Sequence, residues 1–276
     1  MRWLLAPFRA VMFSAHVILG VAIVLVIFPV VGQVTRNRIN RVWSRVLIAL
    51  TGARVTAIGL PIAADLQRDG IDPLTPGRLA LANHVSWMDI FAINAVLPSR
   101  FIAKAEIGKW PLLGVLVSRS GTLYIERGRR HAVATMNKTV REHLKLGETI
   151  VVFAEGTTTD GSVLLPFHSN VIAPALDVDA AIWPIAIRYT ERGKASSAAA
   201  FIGEMGLLTS LAQILVADDL VVEVAVLAPI ANDAADRHTI ARAARAAIAR
   251  QLGITSEQSG EHGGERSADR GHSSAG

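Results

Sequence analysis

Read from the amino terminus, apolar and polar positions fall into distinct textures. Residues 10 to 32 contain no charged side chain. At 1.5 Å per residue, that run is long enough to cross a hydrocarbon core of about 30 Å. A second apolar stretch, Val42 to Leu50 with Arg45 inside it, is too short to span. The pattern therefore predicts an N-terminal membrane helix or, because Pro29 interrupts a straight crossing, a two-helix hairpin dipping into one leaflet. A cleaved signal peptide would have a shorter apolar centre and a small-residue cleavage site, whereas Arg36, Arg38, Arg41 and Arg45 follow here. Arg2 and Arg9 precede the run, and the larger number of Arg after it points to the cytoplasmic side for the region that follows.

From Arg54 the texture changes. Val55 to Ile58 alternates like a strand, and Gly59 to Gly77 holds three Pro and three Gly, as a loop does. Strand-like runs recur at 78 to 82, 100 to 105, 122 to 125, 150 to 154, 182 to 187 and 220 to 227. Helix-like stretches at 86 to 95, 130 to 146 and 236 to 252 lie among them. That alternation predicts an α/β domain, a sheet with helices packed on it. After Leu252 the chain turns Ser, Gly, Glu and His-rich, too polar to offset its ordering entropy by burial. The expected organisation is a membrane-anchoring segment over 1–53, a globular domain over 54–254 and a disordered tail over 255–276.

Composition narrows the chemistry. Zero Cys excludes disulfides, thiolate metal sites and a cysteine nucleophile. The eight His show no metal-ligand spacing, so no metal is expected. The net charge is +5, yet residues 255–276 carry four acids against two Arg, which leaves +7 on the rest. A basic chain that is 51% hydrophobic with few aromatics suits an anionic membrane better than nucleic acid. Residues 100 to 147 concentrate ten Lys and Arg against three Glu, a surface for anionic headgroups, for an acidic carrier protein, or simply for solvent.

The candidate chemistry centres on Asn83-His84-Val85-Ser86-Trp87-Met88-Asp89, where a strand-like run breaks and a helix-like run begins. An imidazole takes a proton at neutral pH if a partner fixes its tautomer, and a carboxylate five residues on supplies that partner if the turn folds back. Alone, the spacing is more often a helix-capping His followed by a solvated acid.

Its weight comes from two later blocks, Gly121-Thr122-Leu123-Tyr124-Ile125-Glu126-Arg127 and Phe153-Ala154-Glu155-Gly156-Thr157, and a less specific fourth, Ile182 to Ile187. In this order they resemble the lysophosphatidic acid acyltransferase family, membrane enzymes that esterify a lysolipid hydroxyl with an acyl thioester. The resemblance implies a mixed sheet flanked by helices, with His84 as general base and Asp89 as its orienter. It carries Arg127, Glu155, Gly156 and Thr157 over to the acceptor site, and it supports the two-helix membrane motif. Backbone N–H groups near Gly156 are the guess for the oxyanion donors. Acyl carrier protein or coenzyme A would bring the acyl group as co-substrate, and no other cofactor is implied.

Where the family usually reads Phe-Pro-Glu-Gly-Thr-Arg, this chain has Ala154 and Thr158, then Thr159, Asp160 and Gly161. A guanidinium is lost and a carboxylate gained. That form is similar to the lyso-ornithine lipid acyltransferase branch, in which Asp160 would meet the acceptor's ammonium group, while family frequency favours lysophosphatidate. A lipid hydrolase is disfavoured because no Gly-x-Ser-x-Gly elbow exists, with Ser86 the only hydroxyl near His84. A non-catalytic lipid-binding protein is the remaining alternative.

Overall fold

Each strand-like and helix-like run is present in the structure, a computed structural model that describes residues 2–59, 77–110, 112–125, 130–231 and 236–255. Arg127, most of the loop after Gly59 and the tail beyond Thr255 lie outside the described residues. Two helices come first, α1 (Arg2–Val26) and α2 (Gln33–Thr51). β1 (Arg54–Gly59), β2 (Arg78–Ala82), α3 (Asp89–Val96), β3 (Arg100–Lys104), α4 (Leu113–Arg119), β4 (Leu123–Ile125), α5 (Arg130–Lys145) and β5 (Thr149–Phe153) follow. The chain continues through α6 (Ala173–Leu176), β6 (Ala181–Glu191), β7 (Lys194–Ala195), α7 (Leu207–Val216), β8 (Leu220–Val226) and α8 (Arg237–Leu252).

The sheet runs β1-β8-β6-β2-β5-β3-β4, with β7 hairpinned onto β6. β6 is antiparallel to β7 and β8, and the other neighbours are parallel, so the sheet is mixed as expected. β2 sits at its centre, and its unbroken run Leu79-Ala80-Leu81-Ala82 suits a strand covered on both faces. Because successive side chains point to opposite faces, Leu79 and Leu81 join one core with α5, α6 and α8. Ala80 and Ala82 join the other, with α1, α2, α3 and α7.

The N-terminal helices belong to that second core. Phe13, Val17 and Val24 of α1 are buried in it, and His16 stacks on Trp43 of α2 with ring centroids 4.9 Å apart. At Gly20 a side chain would come within 2.7 Å of the Trp43 indole nitrogen, so the glycine sets how closely the two helices approach. Arg45, the charge inside the short apolar stretch, reaches from α2 to the Ala95 carbonyl at 2.9 Å and satisfies an end group of α3. The opposite side of α1 is different. Phe8, Val11, Ile18, Leu19 and Val26 stand exposed, and Leu5–Val30 is long and apolar enough to cross a membrane.

Candidate active site

The loop between β2 and α3 lies at the carboxyl edge of the parallel strands, where β2 and β5 end side by side with Ala82 opposite Phe153. Asn83 opens it by exchanging two hydrogen bonds with the Ile187 backbone, at 3.0 and 2.8 Å, as a strand residue would. The chain then curls around Asp89. Asp89 Oδ2 accepts from the Val85 N–H at 2.8 Å, the Ser86 N–H at 2.9 Å and the His84 ring at 2.8 Å. Its other oxygen, Oδ1, accepts from the Tyr189 hydroxyl at 2.6 Å. Asp89 is 0% exposed. A buried carboxylate without partners would be costly, and here four donors surround it.

His84 therefore has Nδ1 held as the donor to Asp89, which leaves Nε2 with its lone pair. The ring lies flat on Phe153, with centroids 3.8 Å apart and planes 10° apart, and its side chain is 20% exposed. It is thus fixed in orientation yet reachable. The rest of the loop is tied down by its backbone. The His84 N–H donates to Glu155, the Thr159 N–H donates to the His84 carbonyl at 2.9 Å, and the Phe201 N–H donates to the Val85 carbonyl at 2.9 Å.

The third block packs directly against this loop. Both oxygens of Glu155 accept backbone N–H groups, from His84 at 2.8 Å and Leu165 at 2.9 Å, and the residue is 4% exposed. Burial pushes its carboxyl up to about 7, although the two donors favour the charged form. Gly156 has φ +71 and its N–H bonds to the Phe153 carbonyl at 3.1 Å, so that group is engaged in the turn and not offered to an oxyanion. A side chain there would sit 3.1 Å from the His168 ring. Thr157 is exposed, and the Thr158 hydroxyl donates to the Phe201 carbonyl. Asp160 is exposed and accepts from the Ser162 N–H at 2.9 Å and the Ser162 hydroxyl at 2.6 Å, bonds that lower its pKa.

The structure thus brings His84, Asp89 and Glu155 into one network, with Thr158 linked to its edge through Phe201. Asp160 bonds within its own turn and, together with Val85 and Tyr189, lines a cavity beside this network. Among the described residues no cluster of His, Cys, Asp and Glu could hold a metal ion. Sequence reasoning gave Asn83 of the first block no role and missed Tyr189 and the segment around Phe201 and α7, whose Ser210 accepts from the Trp87 indole at 3.0 Å. A signal for Tyr189 exists in the alternation Ile185, Ile187, Tyr189 along β6, which places a hydroxyl in an otherwise apolar row.

Known proteins resemble this chain in sequence and in fold. Residues 67–188 match the acyltransferase family. The chain is 37% identical over 213 residues to the lyso-ornithine lipid O-acyltransferase of Pseudomonas aeruginosa, covering 77% of this chain and 78% of that protein. It is also 37% identical over 182 residues to a 1-acyl-sn-glycerol-3-phosphate acyltransferase of Neisseria gonorrhoeae, covering 66% and 70%. The fold is that of a 1-acyl-sn-glycerophosphate acyltransferase from Thermotoga maritima, with a TM-score of 0.67, 17% identity and coverage of 92% of this chain and 97% of that one. An imidazole and carboxylate joined at the end of the central strand, in a chain so closely related to enzymes that acylate lysolipids, mark it as a lysolipid acyltransferase of the lysophospholipid acyltransferase family.

Proposed function

We propose that the protein moves a fatty acyl group from the thioester of acyl carrier protein or coenzyme A to the hydroxyl of lyso-ornithine lipid. His84 Nε2 takes the proton of the acceptor hydroxyl while Nδ1–H stays on Asp89. The acceptor oxygen attacks the thioester carbonyl, and the tetrahedral oxyanion collapses with cleavage of the C–S bond. The thiolate leaves and recovers the proton from the imidazolium, so ester and thiol are the products and no acyl-enzyme forms.

The observation that carries the choice of acceptor is the third block. Position 158 bears a hydroxyl committed to the Phe201 carbonyl, with no guanidinium to meet a phosphate, and Asp160 adds an exposed carboxylate two residues on. The Pseudomonas aeruginosa relative supports the same reading by name. Lysophosphatidate is the second reading, favoured by the Neisseria relative. Purified protein given equal amounts of both acceptors, with each donor in turn, should yield ornithine lipid as the main product by mass spectrometry. Phosphatidate as the main product would overturn the assignment of the acceptor and leave acyl transfer standing.

Membrane association is assigned to the exposed apolar side of α1, since its other side is occupied by the core. Replacing Phe8, Val11 and Ile18 together with Ser should release the protein from vesicles that mimic a bacterial inner membrane, with its thermal midpoint unchanged. Full retention on the vesicles would place the contact on another surface.

A further inference from the structure

Tyr189 stands outside everything so far assigned to catalysis. It lies on β6, 100 residues from Asp89 and one residue beyond the stretch that matches the acyltransferase family. β6 is long enough to reach the site because it continues past the β2 register, which ends with Ala82 opposite Ile185. The tyrosine is 3% exposed, and its hydroxyl is spent on Asp89 Oδ1 at 2.6 Å, with the Ser86 hydroxyl also in contact. A tyrosine wanted only for packing would bury its hydroxyl at a cost, and phenylalanine would fill the same row of β6.

We propose that Tyr189 is a positioning residue for acyl transfer, which holds and electrically tempers Asp89 so that His84 stays oriented yet gives its proton back. The inference rests on the His84 and Asp89 roles given above. Asp89 Oδ2 already carries three donors, so the hydroxyl of Tyr189 alone balances Oδ1 among the described contacts. That bond draws charge away from the oxygen facing the imidazole. Without it, the negative charge concentrates on the His84 side and the imidazolium is favoured. Among the described residues, Tyr189 from β6 and Glu155 from the turn after β5 face the pair from the packed elements, and of these only Tyr189 reaches the carboxylate of Asp89.

Tyr189→Phe should therefore lower kcat by about tenfold with KM within about twofold, and move the acidic limb of the kcat/KM profile to higher pH by roughly half a unit to one unit. In an Asp89→Asn background the same substitution should change kcat by less than about twofold, because the two residues act as a unit. A second probe covers the case in which Phe fails to fold. The chain has two tyrosines, so in a Tyr124→Phe background 3-fluorotyrosine enters only position 189. The fluorinated phenol is the stronger donor, and the acidic limb should move to lower pH.

A limb that stays in place in both variants, with kcat within twofold, would overturn the proposal and leave Tyr189 a packing residue. His84→Ala is assayed alongside. If that variant still turns over, it is the underlying acyl-transfer reading that fails.

Discussion

Among the described residues stand two pairs built alike, an imidazole and a carboxylate five residues later, joined through Nδ1. His84 meets Asp89 at 2.8 Å at the carboxyl edge of the sheet, and His143 meets Glu148 at 2.6 Å where α5 leads into the amino end of β5. The side chains of the two His are similarly exposed, at 20% and 24%. What differs is the carboxylate's other company. Glu148 is claimed by Arg100, whose Nε and Nη2 reach its two oxygens at 2.5 and 2.9 Å while the same guanidinium bonds Gly121. Among the described residues, Asp89 receives only neutral donors besides the imidazole. A carboxylate neutralised by a fork-shaped cation is a clamp between elements, whereas one surrounded by dipoles keeps its charge for the imidazole. Spacing alone therefore does not make a catalytic pair.

The largest effect should come from removing each imidazole in turn. His84→Ala should reduce turnover by about a hundredfold to ten-thousandfold, the range general-base catalysis commands, with folding and vesicle binding retained. His143→Ala should leave kcat within about twofold and lower the thermal midpoint. Steady-state assays beside thermal unfolding of both variants separate the two pairs, and a His143→Ala protein as inactive as His84→Ala would erase the distinction.

A smaller effect concerns the clamp and has a sign in pH. Burial alone would raise the Glu148 carboxyl, but hydrogen bonds from His143 and Arg100 outweigh it and hold the group at about 2. Its folded pKa lies below the ordinary value near 4.5, so its stabilisation is complete above about pH 4.5 and is lost as pH falls toward 2. Partial exposure discounts the full linkage, which leaves about 1 to 3 kcal/mol. Glu148→Gln should cost about 2 kcal/mol at pH 7 in denaturant unfolding, and the gap to the wild type should close as pH falls below 4. An equal gap at pH 7 and pH 3 would show that the carboxylate's charge is not what binds the clamp.

The pattern of apolar positions located the sheet strands well because each strand's burial is local to its own sequence. Ala80 and Leu81 belong in a covered strand whatever follows them. The contact between His84 and Asp89 was equally legible, since the two residues share one loop. Less legible were contacts whose two halves are far apart along the chain. Tyr189 meets Asp89 only after β6 has been placed beside β2, and the segment carrying Phe201 and Ser210 bonds to the loop through the Phe201 N–H on the Val85 carbonyl and the Ser210 hydroxyl on the Trp87 indole. Glu155 shows the same limit. Its position in the third block was visible, but its grip on the His84 N–H depends on β5 ending level with β2.

The pairing of β1 with β8 has a consequence during synthesis. The first strand of the sheet lies beside the last, with Arg54 opposite Val221, and about 160 residues separate the end of one from the start of the other. At about 5 to 20 residues per second, β1 leaves the ribosome roughly 10 to 30 s before its partner exists. Throughout that interval its hydrogen-bonding edge is open to other chains, and the first sheet pairs to form must come from the interior strands. The helices that precede β1 are finished first, so they are available to dock on a membrane while the sheet behind them is still incomplete.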